Sequence, residues 1–272
     1  LVIFLQYYAN YMKLEEIKEH WQKVAEKYPA EGGITPTSRD PYLGQLEEEN
    51  IISFLEKKHI ALEIGCGDGY HTMKYAKRVA SLCGVDFTKS FIDIAKKREI
   101  SDDVKNIEYV ITSILDIEKV FCKRQFDCII SQRCLINLSE WRYQKNVILQ
   151  LCNVLKKGGL LLLSEGFQGE RENLSIHRQN NGLPKLEDTS YNRNMIRKEF
   201  ESFVNQYFDI VEIRDYGTYL FLSRVLHPLV VLPNKPKHDS YINKVAMEIS
   251  KTVQFSGSDN YSYNLFYVLK KK

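Results

Sequence analysis

The sequence predicts an α/β fold built on a doubly wound, Rossmann-like sheet. First, Ile60 to Ile64 is a short apolar run that opens onto Gly65-Cys66-Gly67-Asp68-Gly69, three glycines at alternate positions. Second, a helical pattern follows, with Met73, Ala76, Val79 and Ala80 near one face, and a second apolar run from Ala80 to Val85 ends at Asp86. Third, apolar runs and helical patterns keep alternating through Leu163. Strand, glycine turn, helix, strand and acid make one half of a nucleotide-binding unit.

Composition agrees with that class. The 272 residues are 44% apolar, which suits one α/β domain with an elaboration, or at most two domains. A core of that size needs neither disulfides nor metal. The net charge of +3 is too weak to argue for a nucleic-acid partner. The six cysteines, Cys66, Cys83, Cys122, Cys128, Cys134 and Cys152, contain no C-x-x-C pair and several sit in apolar runs. They are expected as buried free thiols of a reducing compartment, hence a cytoplasmic protein. No apolar run reaches transmembrane length, and Leu1 to Leu5 is too short for a leader or a span. Met12-Lys13-Leu14 reads as a natural start, which would leave residues 1–11 as an extension.

The elements follow in order. Met12 to Tyr28 reads as a helix, with Ile17, Trp21, Val24 and Ala25 at helical spacing. Pro29 to Pro41 is a linker of turn residues, and Gln45 to Lys57 a second helix. After the glycine unit come a helix from Lys89 to Lys97, a strand from Ile107 to Thr112 and a strand from Phe126 to Ser131. Ser139 to Leu155 is the clearest helix, capped by Ser139 and ended by Gly158-Gly159, with a buried strand from Leu160 to Leu163 behind it. Phe167 to Arg193 is polar and reads as irregular. A helix from Asn194 to Tyr207 and strands at Asp209 to Arg214 and Tyr261 to Lys270 complete the chain. Between those strands, Tyr216 to Asp259 holds an apolar run, Leu226 to Leu232, and a helical pattern from Tyr241 to Val253.

The glycine loop narrows the ligand. Glycine accepts positive φ and lets a ligand lie against the main chain. The free N–H groups that open the next helix point at that ligand. Asp86 can accept from both hydroxyls of a ribose. The dinucleotide fingerprint G-x-G-x-x-G fails, because Tyr70 stands where its third glycine belongs. The phosphate loop G-x-x-x-x-G-K-[ST] fails as well, because Lys74 lies too far on.

Glu63-Ile64-Gly65-Cys66-Gly67-Asp68-Gly69 resembles the first motif of class I S-adenosylmethionine-dependent methyltransferases, an acid at the strand end followed by G-x-G-x-G. The resemblance implies S-adenosylmethionine as cofactor, S-adenosylhomocysteine as product, and no metal. It implies a seven-stranded sheet, mostly parallel with an antiparallel last strand. Residues 1–57 would be an extension with cofactor-capping helices, and 58–270 the methyltransferase domain, with lid elements near 167–193 and 216–259. The implied cofactor contacts are Glu63, Gly65, Cys66, Gly67, Gly69, Asp86, Phe87, Ser113, Ile114, Ser131, Gln132 and Arg39. Ser113 departs from the acid common there in the family, although its hydroxyl can still accept from an adenine amine. Gln132 to Leu138 and Tyr219 to Val225, with His227-Pro228-Leu229, also look like segments of bacterial surface-polysaccharide methyltransferases. That likeness implies a hydroxyl or amine of a small polar acceptor, such as a nucleotide-linked or glycan sugar.

Methyl transfer needs alignment and water exclusion more than acid–base groups, so it leaves a faint trace in sequence. Three residues are candidates to act on the acceptor. His177 lies in the polar lid beside Glu170, Arg171 and Arg178 and is a candidate base. Glu165 ends the fifth strand, facing the acceptor or pairing with a lid arginine. Arg133 would hold a phosphate or carboxylate bidentately, or pair with Glu165. His71, in the first helical turn after the glycine loop, faces the cofactor or solvent and is discounted as a base, while His20, His59, His227 and His238 have no polar constellation around them and read as ordinary packing. The alternatives are a methyltransferase for another amine or carboxylic acid, a non-catalytic adenosyl-ligand-binding protein, and an NAD-dependent enzyme. No basic face or Asn-Pro-Pro-Tyr motif suggests a nucleic-acid substrate.

Overall fold

The computed structural model describes residues 11–28, 35–37, 39–101 and 104–272. The expected extension up to residue 10 and most of the expected linker, 29–34 and 38, lie outside the described residues. The first helices are α1 (Leu14–Lys27) and α2 (Pro41–Ile52). The central unit runs β1 (Ile60–Ile64), α3 (Thr72–Ala76), β2 (Ser81–Asp86), α4 (Lys89–Ser101), β3 (Ile107–Ile111), α5 (Ile117–Val120), β4 (Phe126–Gln132), α6 (Trp141–Val154) and β5 (Leu155–Gly166). Then follow α7 (Gln168–Asn180), α8 (Arg197–Val204), β6 (Phe208–Asp215), α9 (Gly217–Phe221), α10 (His227–Val231), α11 (Tyr241–Ser250) and β7 (Asn264–Lys271).

The strands form the expected seven-stranded sheet, in the order β3-β2-β1-β4-β5-β7-β6. The first five are parallel, and β7 runs antiparallel to both β5 and β6. Order reverses between β1 and β4, which leaves a crevice at their carboxyl ends. Asp127 helps register the centre: its carboxylate accepts from the Ile60 N–H at 2.8 Å and from Lys156 Nζ at 2.6 Å.

Both faces are covered. Leu62, Ile64, Ile129, Leu161 and Leu163 pack on one side with Val147 and Leu151 of α6 and Phe200 of α8. Ala61, Cys128, Ile130 and Leu162 pack on the other with Leu43 of α2, Met73 of α3, Tyr219 of α9 and Met247 of α11. Each fully buried Leu, Ile or Phe contributes about 1.5–3 kcal/mol, so these two layers dominate stability.

Several element boundaries differ from the sequence expectation, each for a local reason. α2 begins at Pro41, four residues early, because Asp40 accepts from the N–H groups of Tyr42 and Leu43 and Pro41 takes the first helical position. Gly158-Gly159 does not end α6. The chain enters β5 directly at Leu155, and the two glycines form an irregularity against β4 between Phe126 and Cys128. A Cβ on Gly159 would sit 2.9 Å from the carbonyl oxygens of Asp127 and Lys156. Ser139 does not cap α6 either; Glu140 stands at that position. Residues 168–180, expected as irregular, are helix α7. Its only buried apolar residue is Leu174, so no stripe announced it. Cys122 is exposed, unlike most of the free thiols.

Candidate active site

The glycine loop leaves β1 with Gly65, Gly67 and Gly69 at φ of 67°, 53° and 76°. Two of these glycines are required by close approach. A Cβ on Gly65 would stand 2.5 Å from Cys134 Sγ, and one on Gly69 would stand 2.8 Å from the Ala95 Cβ on α4. The loop is tied to β2 by Asp86, whose two carboxylate oxygens accept from the N–H groups of Gly67 at 3.1 Å and Thr88 at 2.8 Å. Burial pushes the Asp86 carboxyl up, and the Thr88 and Gly67 N–H groups oppose that shift.

Glu63, at the end of β1, is fully buried and its pKa is pushed up to about 8 by desolvation. The nearby Thr72 hydroxyl opposes that shift, yet Glu63 Oε2 makes no hydrogen bond of good geometry among the described residues. A buried acceptor without a donor is costly, and a ligand amine would satisfy it.

These residues line a first cavity of about 130 Å³. Glu63, Gly65, Cys66, Gly67 and Asp86 form one end. Phe87, Ile114, Leu115 and Leu138 make an apolar section, and Leu14, Ile17 and Trp21 of α1 border it as well. Acceptor pair, glycine cradle and apolar slot suit a ribose, an amino-acid amine and a flat ring, the three parts of S-adenosylmethionine. The orphaned Glu63 oxygen and the Asp86 carboxylate are the observations that make the fit. Among the described residues no group of three or more His, Cys, Asp or Glu is arranged to hold a metal ion.

A second cavity of about 470 Å³ adjoins the first, and Trp21, Thr37, Arg133 and Asn137 line both. Its wall is polar, with contributions from α1, the segment before α2, α7 and the region after β6. Arg133 sits at the junction in a left-handed conformation, φ 53°, alone among the described non-glycine residues. Such strain persists only where surroundings over-determine it. Here they do: the Arg133 N–H donates to the Ser164 carbonyl at 2.7 Å, its carbonyl accepts from Asn137 Nδ2 at 2.8 Å, and its Nε lies 3.2 Å from Glu47 Oε2. Trp21 Nε1 in turn donates to Asn137 Oδ1 at 2.8 Å, fastening α1 over the site.

The expected site residues divide as follows. Glu63, Gly65, Cys66, Gly67, Asp86, Phe87, Ser113, Ile114, Gln132 and Arg133 all line the first cavity. Gly69 does not; it is needed for packing against α4. Ser131 does not either, because its buried hydroxyl is turned to Glu165 Oε1 at 2.6 Å. Arg39 lines the second cavity and not the first.

Glu165 corrects its expected role. It faces neither cavity nor a lid arginine; its carboxylate accepts from the N–H groups of Cys134, Leu135 and Ile136 at 3.0, 3.0 and 3.2 Å. It therefore positions the loop that carries Arg133. His177 is also corrected. It lies exposed on α7, edge-on to Phe221 and Tyr261, and lines neither cavity. Arg171 and Arg178 fall on other faces of the helix, and Glu170, two turns away, is buried beside Arg197.

Two residues passed over in the sequence belong to the site. His20 lines the second cavity, stacked on Tyr191 at 4.4 Å, and burial together with the charges of Arg39 and Lys23 pushes its imidazole below the ordinary value. Glu47 is wholly buried beside Arg133 and Gln132. A signal for Glu47 was present: it falls on the apolar stripe Leu43, Leu46, Ile51 of α2. None was present for His20, whose partner Tyr191 is remote in sequence.

Comparison with known proteins gives one family. Residues 61–159 match the model of a methyltransferase domain. The chain is 29% identical over 161 residues to the malonyl-[acyl-carrier protein] O-methyltransferase of Priestia megaterium, covering 58% of this chain and 54% of that protein. It is 29% identical over 152 residues to the ubiquinone biosynthesis O-methyltransferase of Coxiella burnetii, covering 56% and 59%. The chain thus spans little more than half the length of these relatives. Among solved structures, the fold is similar to phosphoethanolamine N-methyltransferase 1 of Haemonchus contortus in complex with phosphoethanolamine and S-adenosylhomocysteine. That match has a TM-score of 0.63 at 15% identity, over 95% of this chain and 48% of that one. The fold is also similar to the N-methyltransferase NodS of Bradyrhizobium japonicum with S-adenosylhomocysteine, TM-score 0.54 at 14% identity, over 93% and 98%. With the glycine loop, Asp86 at the end of β2 and the sheet order already in place, residues 61–159 are a methyltransferase domain, and the chain has the fold of enzymes solved with S-adenosylhomocysteine.

Proposed function

We propose that this chain transfers the methyl group of S-adenosylmethionine to a small polar acceptor seated in the second cavity. The observation that carries the reading is the shared wall of Trp21, Thr37, Arg133 and Asn137 between an adenosyl-shaped slot and a larger polar chamber. Bound S-adenosylmethionine supplies an electrophilic methyl on a sulfonium centre. The residues of the chain supply the rest. Asp86 takes the ribose hydroxyls, Glu63 the amine, and the main chain of the loop from Gly65 to Gly67 lies against the ligand. Leu14, Ile17 and Trp21 keep water from the junction, which strengthens alignment as a source of rate.

Arg133 and Asn137 orient the acceptor. His20, uncharged near neutral pH, takes the proton that a hydroxyl releases. The O-methyltransferase names of the curated relatives favour an oxygen acceptor over nitrogen. A nucleotide-linked or glycan sugar is the acceptor we favour, on the polar character and size of the second chamber. Residues 1–57 would then act as the cofactor-capping region ahead of a domain spanning 58–270. Segments 167–193 and 216–259 would form its lid, since α7 and the region after β6 both reach the second cavity. No helix among the described residues is long and apolar enough to cross a membrane.

Calorimetric titration with S-adenosylhomocysteine, with NADH in parallel, tests the reading. Micromolar binding of the former alone is expected. Asp86→Ala should weaken it by tenfold to a hundredfold, because hydrogen bonds to a charged acceptor are worth about 1.5–3 kcal/mol. Binding of NADH alone, or an unchanged affinity in Asp86→Ala, would sink the assignment.

A further inference from the structure

The second cavity is lined by five arginines, Arg39, Arg133, Arg171, Arg178 and Arg224, against three acids, Asp40, Glu187 and Asp188. Most of these charges are matched. Arg224 pairs with Asp40, Arg133 with Glu47 behind the wall, and Arg171 with Asp188 at 3.2 Å. Glu187 is exposed at the rim. Two cations remain without a carboxylate among the described residues. Arg178 donates only to backbone carbonyls, those of Pro184 at 2.8 Å and of Arg224. Arg39, exposed on the same wall, has no ion pair among the described residues.

The unmatched pair belongs to one continuous wall. The Arg224 charge acts on both Arg178 and His238, and the Arg39 charge acts on both His238 and His20. Burial and neighbouring arginines push Arg178, His238 and His20 all toward their uncharged forms. A half-buried guanidinium beside another, with no counter-ion, costs free energy that an oxyanion would recover. Guanidinium forks match the geometry of phosphate and carboxylate.

We propose that the wall between Arg178 and Arg39 is a subsite for an oxyanion carried by the acceptor, phosphate or carboxylate. The substrate class is then an anionic small molecule, whose charged end lies along this wall and whose reacting atom reaches Arg133 and Asn137. The proposal deepens the reading of the second cavity as the acceptor chamber and rests on it.

The test is calorimetry on the full chain, saturated with S-adenosylhomocysteine, at matched ionic strength. The probes are inorganic pyrophosphate in one arm and malonate in the other. Saturable one-to-one binding of at least one probe is expected, and the tighter arm identifies the oxyanion. Arg178→Gln should weaken that binding about tenfold or more, with partial recovery in Arg178→Lys, because charge-assisted hydrogen bonds are lost. Arg39→Gln, at an exposed residue, should weaken it several-fold without disturbing the fold. S-adenosylhomocysteine affinity should be unchanged in both variants. Failure of both probes to saturate, or binding indifferent to both substitutions, overturns the subsite while retained S-adenosylhomocysteine binding leaves the methyl-transfer reading standing. Anion binding by a chain that does not take S-adenosylhomocysteine overturns the proposal as an acceptor subsite, along with that reading.

Discussion

Glu47 and Arg133, 86 residues apart in the chain (133 − 47), meet behind the wall shared by the two cavities, with Oε2 of the fully buried acid 3.2 Å from the arginine Nε. The same carboxylate accepts from Gln132 Nε2 at 3.0 Å, Ser164 Oγ at 3.0 Å and Asn264 Nδ2 at 2.8 Å. One side chain on α2 thus joins the ends of β4, β5 and β7 and aims the arginine. Breaking a buried ion pair by removing one partner costs about 3–5 kcal/mol. Arg133 keeps some solvent contact, so Glu47→Ala should sit near the lower end, about 3 kcal/mol. The midpoint of urea unfolding measures it; a loss under 1 kcal/mol would show the network to be dispensable.

Gly65 and Cys134 bring the cofactor loop against the loop after β4. Gly65→Ala combines left-handed strain of roughly 1–2 kcal/mol with a Cβ driven into the cysteine side chain. The variant should melt earlier and bind S-adenosylhomocysteine at least tenfold more weakly. Adding Cys134→Ala removes the Sγ contact at 2.5 Å and should restore part of the melting temperature, leaving the φ strain and the Cβ contact at 2.9 Å. No recovery in the double variant would locate the whole effect in the backbone and that remaining contact.

Glu63 makes stability depend on pH. Its folded pKa of about 8 lies above the ordinary 4.5, so the fold favours the protonated acid. That contribution is complete below about pH 4.5 and is lost as pH rises through about 8. Glu63→Gln should therefore flatten the fall in ligand-free stability between about pH 4.5 and about pH 8. A ligand amine favours the ionised acid, so binding near pH 7 should release a proton. Calorimetry in buffers of different ionisation enthalpy detects it, and equal apparent enthalpies would refute the amine assignment.

His20 should set an acid limb for turnover. Its pKa lies below the ordinary 6.5, through burial first and then the Arg39 and Lys23 charges. It is uncharged at neutral pH and becomes protonated only as pH falls through the lowered value. Turnover with a hydroxyl acceptor should drop below that point. His20→Gln should lower kcat by about 10²–10⁴-fold and abolish the limb. A limb that persists in the variant would assign it to another group, and full turnover would leave alignment as the whole mechanism.

The sequence alone determined the parts written in consecutive residues. Glu63 through Asp86 specify a strand, a glycine turn, a helix and an acid, because side-chain period and φ preference act locally. From them followed the nucleotide class, the sheet type and most of the first cavity. Glu165 and His177 show where that stops. A carboxylate at a strand end can face a ligand or its own neighbouring loop, and three backbone N–H groups from residues 134–136 settled Glu165 on the loop. A histidine in a polar helix has several faces to choose from, and packing against Phe221 and Tyr261 turned His177 away. The second cavity was decided by tertiary structure alone. Its wall joins α1, α7 and the segments flanking α2 and β6, and the fit of Arg178 to Arg224 or His20 to Tyr191 leaves no mark in sequence spacing, since long-range contacts depend on how whole elements dock.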